Sequence, residues 1–385
     1  MAPTLPTWLD GPAWRHAVDT ADERAVEQAL AAEQPGIREF AALISPAAQR
    51  LLEALAQRAR ALTARHFGRT ISLYAPLYLS NYCCSGCVYC GFASTRKITR
   101  HKLTPDEIEA EMQALKRMGI EEILLLTGER TPRVGYEYVR ACVEQAASHF
   151  HSVTVEVFPM TTEEYAGLAA AGCTGMTIYQ ETYDPVRYAQ LHPWGPKRDF
   201  LARLDAPARA LAAGIRTAGL GALLGLSDPL LDMLCLFSHA TYLRRRFWRG
   251  GVSLSFPRVR PQEGGYAPDF FVDERLLAQI IFAFRICLPD VPLVLSTRER
   301  ARFRDGMAGV GICKMSVASR TTVGGYNGES ATSSGQFEVN DGRDAASFCA
   351  ALERKGLQPV FKNWDGLYRE APLELGEPRQ TNAQV

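Results

Sequence analysis

The sequence predicts an α/β fold: a single (β/α)8 barrel of the TIM type over residues 71–323, between a helical amino-terminal extension (1–70) and a carboxy-terminal extension (324–385). Three observations carry this expectation. From Ile71 onward, short β-branched or apolar runs alternate with longer segments of helical period, which is the pattern of βα units around a parallel sheet. The runs number eight, enough to close on themselves. The chain has 385 residues, 47% of them hydrophobic, which is ample for a large core, and barrels of this kind reach about 250 residues as one unit.

Residues 10–65 are amphipathic and helical in pattern, and they are expected to cover the barrel's outside or one end. Strands are expected over 71–80, 122–127, 153–158, 175–181, 219–226, 252–256, 292–296 and 312–318. The helix after the first strand has a legible start. Thr104 and Glu107 make a capping box, Pro105 suits the first helical position, and Ile108, Met112 and Leu115 form one apolar stripe that Gly119 ends. Further helices are expected near 136–147, 162–171, 205–213, 230–243, 273–285 and 299–307. Beyond the barrel, 324–335 is rich in Gly, Ser and Thr and reads as a loop. Residues 336–368 offer a short strand, a helix and Trp364, and the polar stretch from 371 is expected to fray.

Lys and Arg total 43 against 42 Asp and Glu, a net charge of +1, so no basic field argues for nucleic acid and the partner is expected to be small. The amino terminus lacks a basic start followed by an apolar run, and no uncharged apolar stretch of about 18 residues appears, so no membrane segment is expected. Ten cysteines are too dilute for a disulfide scaffold, yet Cys83, Cys84, Cys87 and Cys90 crowd into eight residues. That clustering points to a metal, in a reducing, cytoplasmic setting. The others, Cys142, Cys173, Cys235, Cys287, Cys313 and Cys349, read as small core residues.

Cys83, Cys87 and Cys90 form CxxxCxxC directly after the first strand, where barrel loops build the active face. Three thiolates on a [4Fe-4S] cubane leave the fourth iron open to a small molecule, which implies chemistry rather than electron storage. Two alternatives stay open. A structural zinc site would need Cys84 or His101 as a fourth ligand, and Cys84 with Cys87 makes a CxxC redox spacing.

The cluster segment LYLSNYCCSGCVYCGF carries an aromatic, Tyr89, before its last cysteine, and with it the chain resembles the radical SAM superfamily. Taken with RKITRHKLTPDEI, LLLTGE, IYQETYDPVRYAQLHPWGPKRDFLARLDAPARA, LSTRE, KMSVASRTTVGGY, QFEVNDGR and GLQPVFKNWD, it is most similar to the aromatic amino acid lyase family, nearest the 2-iminoacetate synthases, tyrosine lyases of thiamine biosynthesis. The similarity spans about residues 70 to 365. The resemblance implies that S-adenosylmethionine chelates the open iron and is cleaved to methionine and a 5′-deoxyadenosyl radical. It implies hydrogen abstraction from L-tyrosine at its amino group, then Cα–Cβ scission to 2-iminoacetate and p-cresol. It further implies a thiazole synthase partner and a reduced flavodoxin or ferredoxin-type electron donor. Tryptophan or another aromatic substrate remains an alternative, as does, more distantly, a zinc-binding structural protein. Cys313 and Cys349 stand alone, so the second cluster of the related hydrogenase-maturation tyrosine lyase is not expected.

Site residues follow from the same resemblance. Gly128 and Glu129 end the second strand where the superfamily has a glycine-rich acidic motif, with Gly128 allowing close approach and Glu129 meeting the methionyl ammonium. Glu181 and Arg203 match positions that contact S-adenosylmethionine, with a structural ion pair as the other reading of Arg203. Arg298 and Arg320, after strands seven and eight, are the candidates to clamp the substrate carboxylate, with Arg320 preferred. Ser316 and Ser319 offer hydroxyl donors, Gly324 and Gly325 a tight turn at the cavity, and His192 is either a family match or a structural histidine.

Overall fold

The computed structural model describes residues 4–328 and 335–362. Trp364, the tail from 371 and residues 329–334 of the Gly/Ser/Thr loop lie outside the described residues. The amino-terminal extension forms α1 (Arg15–Thr20), α2 (Glu23–Ala31), α3 (Ile37–Leu43) and α4 (Leu52–Phe67). The barrel follows as β1 (Thr70–Tyr78), α5 (Pro105–Arg117), β2 (Glu122–Leu126), α6 (Tyr136–His149), β3 (Ser152–Glu156), α7 (Thr162–Ala170) and β4 (Gly175–Glu181). It continues through α8 (Pro185–Leu191), α9 (Phe200–Ala212), β5 (Thr217–Ala222), α10 (Pro229–Arg246) and β6 (Gly251–Ser255). It ends with α11 (Glu274–Cys287), β7 (Leu293–Leu295), α12 (Ala301–Met307) and β8 (Lys314–Ser316), and α13 (Ala345–Arg354) and β9 (Gln358–Val360) follow.

All eight barrel strands pair in parallel, and β1 closes the ring between β8 (Ser72 opposite Lys314) and β2 (Ala75 opposite Ile123). The period of two along β1 explains its double burial. Ile71, Leu73, Ala75 and Leu77 are fully packed, while Tyr74, Pro76 and Tyr78 line the barrel interior. β9 joins the same sheet beside the start of β1, Thr70 opposite Gln358, on the edge that β2 takes over further along.

The expected capping box at α5 is present: Thr104 Oγ1 accepts from the Glu107 amide at 3.3 Å and Glu107 accepts from the Thr104 amide at 2.6 Å. Among the helices, two expectations shift. α9 starts at Phe200 rather than 205, because the Asp199 side chain accepts from the Ala202 amide at 2.9 Å and caps it earlier. The short helix α8, capped by Asp184, was not anticipated, because Pro185 and the nearby Pro193 and Pro196 break its pattern into pieces.

Of the two placements open to the amino-terminal helices, the outer wall of the barrel is the one adopted. Phe40 of α3 stacks on Phe237 of α10 and meets Phe284 of α11 edge-on, each at 4.6 Å between ring centroids. Gln279 of α11 donates to the carbonyls of Leu43 and Ser45. At the other end of the chain, buried Arg304 of α12 pairs with Asp341, donates to the Ser316 carbonyl and lies 4.4 Å from the Phe348 ring, tying the carboxy-terminal extension to β8.

Candidate active site

The loop leaving β1 carries the cysteines across the carboxyl end of the barrel. Arg100 and Arg96 hold this loop through its main-chain carbonyls. Arg100 donates to those of Asn81, Phe92, Ala93 and Arg96, and Arg96 to those of Val88 and Cys90. The thiols of Cys83, Cys87 and Cys90 lie within electrostatic reach of one another. Cys83 Sγ accepts from the amides of Ser85 (3.5 Å) and Glu129 (3.4 Å), and Cys90 Sγ from the Phe92 amide (3.4 Å) and Gln336 Nε2 (3.8 Å). Burial pushes the Cys83 thiol up to about 11 and that of Cys87 higher still, so both wait for a cation to stabilise the thiolate. Cys84 turns the other way and donates to the Arg130 carbonyl at 2.8 Å.

Gly128 presses against this loop: a Cβ there would stand 2.5 Å from the Tyr82 carbonyl oxygen and 2.7 Å from Cys83 Cβ, so the close approach excludes any side chain. Beside it lies a buried group of four charges. Arg203 Nη1 contacts Glu129 at 3.1 Å and its Nη2 contacts Glu181 at 3.5 Å, while Lys197 Nζ bonds Glu181 at 2.6 Å. Arg203 Nε also donates to the Tyr179 carbonyl at 2.7 Å. Burial pushes the Glu181 carboxyl upward, but Lys197 and Arg203 outweigh it and hold it below the usual carboxylate range. Glu181 sits at a register shift between β4 and β5 with φ of 73°, a strained conformation for a residue with a Cβ.

A cavity runs inward from this group. Its outer part is lined by Cys90, Glu181, Lys197 and Gln336, its inner part by Tyr74, Tyr78, Leu124, Leu126, Ser316 and Ser319. Glu156, Tyr179, Arg298 and Phe337 line both parts. The Ser319 hydroxyl is buried without a hydrogen-bond partner among the described residues. Arg320, one residue on, is exposed and borders an outer cleft with Thr322, Gly325 and Tyr326.

A Radical SAM superfamily signature matches residues 77–234, and a Biotin and Thiamin Synthesis associated domain matches 255–358. The chain is 43% identical over 351 residues to 2-iminoacetate synthase of Escherichia coli (strain K12), covering 91% of this chain and 93% of that protein. Identity to the 2-iminoacetate synthase of Salmonella typhimurium is 42% over 341 residues, 88% of this chain and 90% of that one. The chain belongs to the 2-iminoacetate synthase family. Among solved structures, the FeFe-hydrogenase maturase HydG of Carboxydothermus hydrogenoformans superposes with a TM-score of 0.83 at 31% identity, over 94% of this chain and 82% of that one. Methylornithine synthase, at 22% identity and a TM-score of 0.70, shares the fold, over 87% of this chain and 97% of that one.

As a member of this radical SAM family the chain works with a [4Fe-4S] cluster and S-adenosylmethionine, and the residues fit them. Three thiols on one loop, with amides aimed at two of the sulfurs, suit a cubane held at three corners. The zinc alternative lacks its fourth ligand. Cys84 donates to the Arg130 carbonyl, and His101 Nε2 bonds Glu107 at 3.0 Å. His192 is structural in this arrangement: Nδ1 donates to the Tyr188 carbonyl at 2.8 Å, so Nε2 accepts from the Tyr89 hydroxyl at 2.7 Å and anchors the aromatic of the cysteine motif. Burial holds its pKa down to about 3, so it stays neutral.

Gly128, Glu129, Glu181, Arg203 and the three cysteines are thus assembled at one mouth, with Arg298 and Ser319 deeper in and Arg320 apart from them. Lys197 and Glu156 were missed from the sequence. Lys197 lies inside the family-like stretch and pairs with Glu181, and Glu156 is the acid that ends β3 at the active face, a position that marks it once the strands are placed.

Proposed function

We infer that this enzyme is a radical SAM carbon–carbon lyase that cleaves the Cα–Cβ bond of L-tyrosine to 2-iminoacetate and p-cresol, with 5′-deoxyadenosine and methionine as co-products. The observation that carries this is identity of 42–43% to 2-iminoacetate synthases over about nine-tenths of both chains. Cys83, Cys87 and Cys90 hold the cluster; Gly128, Glu129, Glu181 and Arg203 hold S-adenosylmethionine. When bound, these two cofactors supply the acceptor for a substrate hydrogen atom. The chain's own work is to hold tyrosine in a closed cavity where that acceptor meets only the intended atom. Arg298 and the unpartnered Ser319 hydroxyl receive the substrate carboxylate, since both face the cavity and Arg320 does not.

The test is anaerobic reconstitution with iron and sulfide, then reduction with S-adenosylmethionine and tyrosine present, assaying 5′-deoxyadenosine and p-cresol together. Both products are expected. Deoxyadenosine without p-cresol, or an indole fragment from tryptophan, would reassign the substrate. In the same assay, Arg298→Ala is expected to lower kcat/KM for tyrosine by about a hundredfold, while Arg320→Ala stays within about threefold of the parent. The reverse order would return the clamp to Arg320.

A one-electron donor of the flavodoxin or ferredoxin type reduces the cluster, and a thiazole synthase takes the product. The support is chemical: 2-iminoacetate is an imine that water hydrolyses, so transfer inside a complex protects it. Tagged enzyme incubated anaerobically with thiazole synthase is expected to retain it on pull-down; no retention would make the handover diffusive. All ten cysteines are free thiols and no helix among the described residues is long and apolar enough to cross a membrane, which supports action in the cytoplasm.

A further inference from the structure

Glu156 ends β3 and lines both parts of the cavity, yet its carboxylate receives no hydrogen bond and no ion pair from any described residue. Burial pushes the carboxyl up to about 7; Arg298, Arg203 and Lys197 pull it down only at a distance. Arg298, across the same cavity, lies 3.3 Å from the Phe337 ring centroid, and its one side-chain hydrogen bond among the described residues is a long one, 3.5 Å, to the Arg258 carbonyl. Two opposite charges therefore line one cavity without closing on each other. A charge that lines a partly desolvated cavity without a close partner is costly, and such a pair persists where a ligand supplies the missing partners. That ligand must carry an anion and a cation a few ångströms apart, which describes the head group of an α-amino acid.

We propose that Glu156 and Arg298 are the two poles of a zwitterion site, Glu156 receiving the α-ammonium of the substrate and Arg298 its α-carboxylate, with the side chain directed inward among Tyr74, Tyr78, Leu124 and Leu126. The proposal rests on the lyase reading above and adds the residue that sets specificity for an amino acid over a desamino acid. It also orients the head group toward Cys90 and Glu181, on the side where the cofactors bind, and leaves the aromatic ring in the inner part of the cavity.

The test uses the reconstituted holoenzyme with S-adenosylmethionine and no reductant, so that nothing turns over. Calorimetry measures binding of tyrosine, tyramine, which lacks the carboxylate, and 3-(4-hydroxyphenyl)propionate, which lacks the amine. Glu156→Gln is expected to weaken tyrosine and tyramine by about 30-fold and leave the propionate within about threefold, and Arg298→Gln to weaken tyrosine and the propionate but spare tyramine. Loss of all three ligands alike in Glu156→Gln, or no loss of tyrosine, overturns the proposal. Should Glu156→Gln fail to take up the cluster, the parent enzyme decides: tyrosine binding at least about tenfold tighter than the propionate supports a site for the ammonium, and equal binding overturns it. A parent enzyme that binds no tyrosine but cleaves S-adenosylmethionine would instead remove the tyrosine reading itself.

Discussion

Replacing Cys87 with alanine is expected to leave a folded protein that assembles no stable [4Fe-4S] cluster and forms no 5′-deoxyadenosine above background. Cys87 is 4% exposed, within the loop that Arg96 and Arg100 hold by its carbonyls, so the fold loses one small buried side chain and about 1 kcal/mol, while the metal site loses a corner. The neighbouring Cys84→Ala is the matched control. Among the described residues its thiol bonds the Arg130 carbonyl alone, so iron content and cofactor cleavage should match the parent. Iron and sulfide analysis after reconstitution, alongside thermal unfolding, separates the two variants. If Cys84→Ala lost the cluster and Cys87→Ala kept it, the ligand set would have to be redrawn around Cys84.

The parts of this site that were legible in the sequence are those that chemistry confines to a short segment. Three cysteines on one loop and a capping box at Thr104 need only their own neighbours, so spacing reveals them. The barrel followed from alternation, though α9 was placed five residues late because its cap, Asp199, is separated from the apolar pattern it starts. Radial relations were out of reach. Glu156, Arg298 and Tyr179 come from β3, the end of β7 and β4, and only closure of the barrel points them at one cavity. The two arginines are set apart by a local bend. β8 ends at Ser316, Ala318 takes φ of 50°, and Ser319 then faces the cavity while Arg320 lies exposed.

Arg203→Leu is expected to produce the largest loss of stability among the site residues and to abolish S-adenosylmethionine binding. In the parent, Glu129 and Glu181 are balanced by Arg203 and Lys197, and Arg203 is 6% exposed. Leucine fills the space but leaves two buried carboxylates sharing one lysine, and breaking a buried pair in this way costs about 3–5 kcal/mol. The deficit should depend on pH with a definite sign. Glu181 is held below the usual carboxylate range, so its pairing stabilises the fold above the unfolded carboxyl value of about 4.3, and that contribution is lost as pH falls through the folded value. Without Arg203 the folded carboxyl rises, and acid unfolding begins at a higher pH than in the parent. The difference in stability between parent and variant is therefore largest near neutrality and shrinks on acidification, as the Glu181 carboxylate becomes protonated. Urea unfolding of both proteins across pH 4 to 7 measures it; a difference that stayed flat over that range would mean that Arg203 acts through its packing and its bond to the Tyr179 carbonyl, and not through its charge.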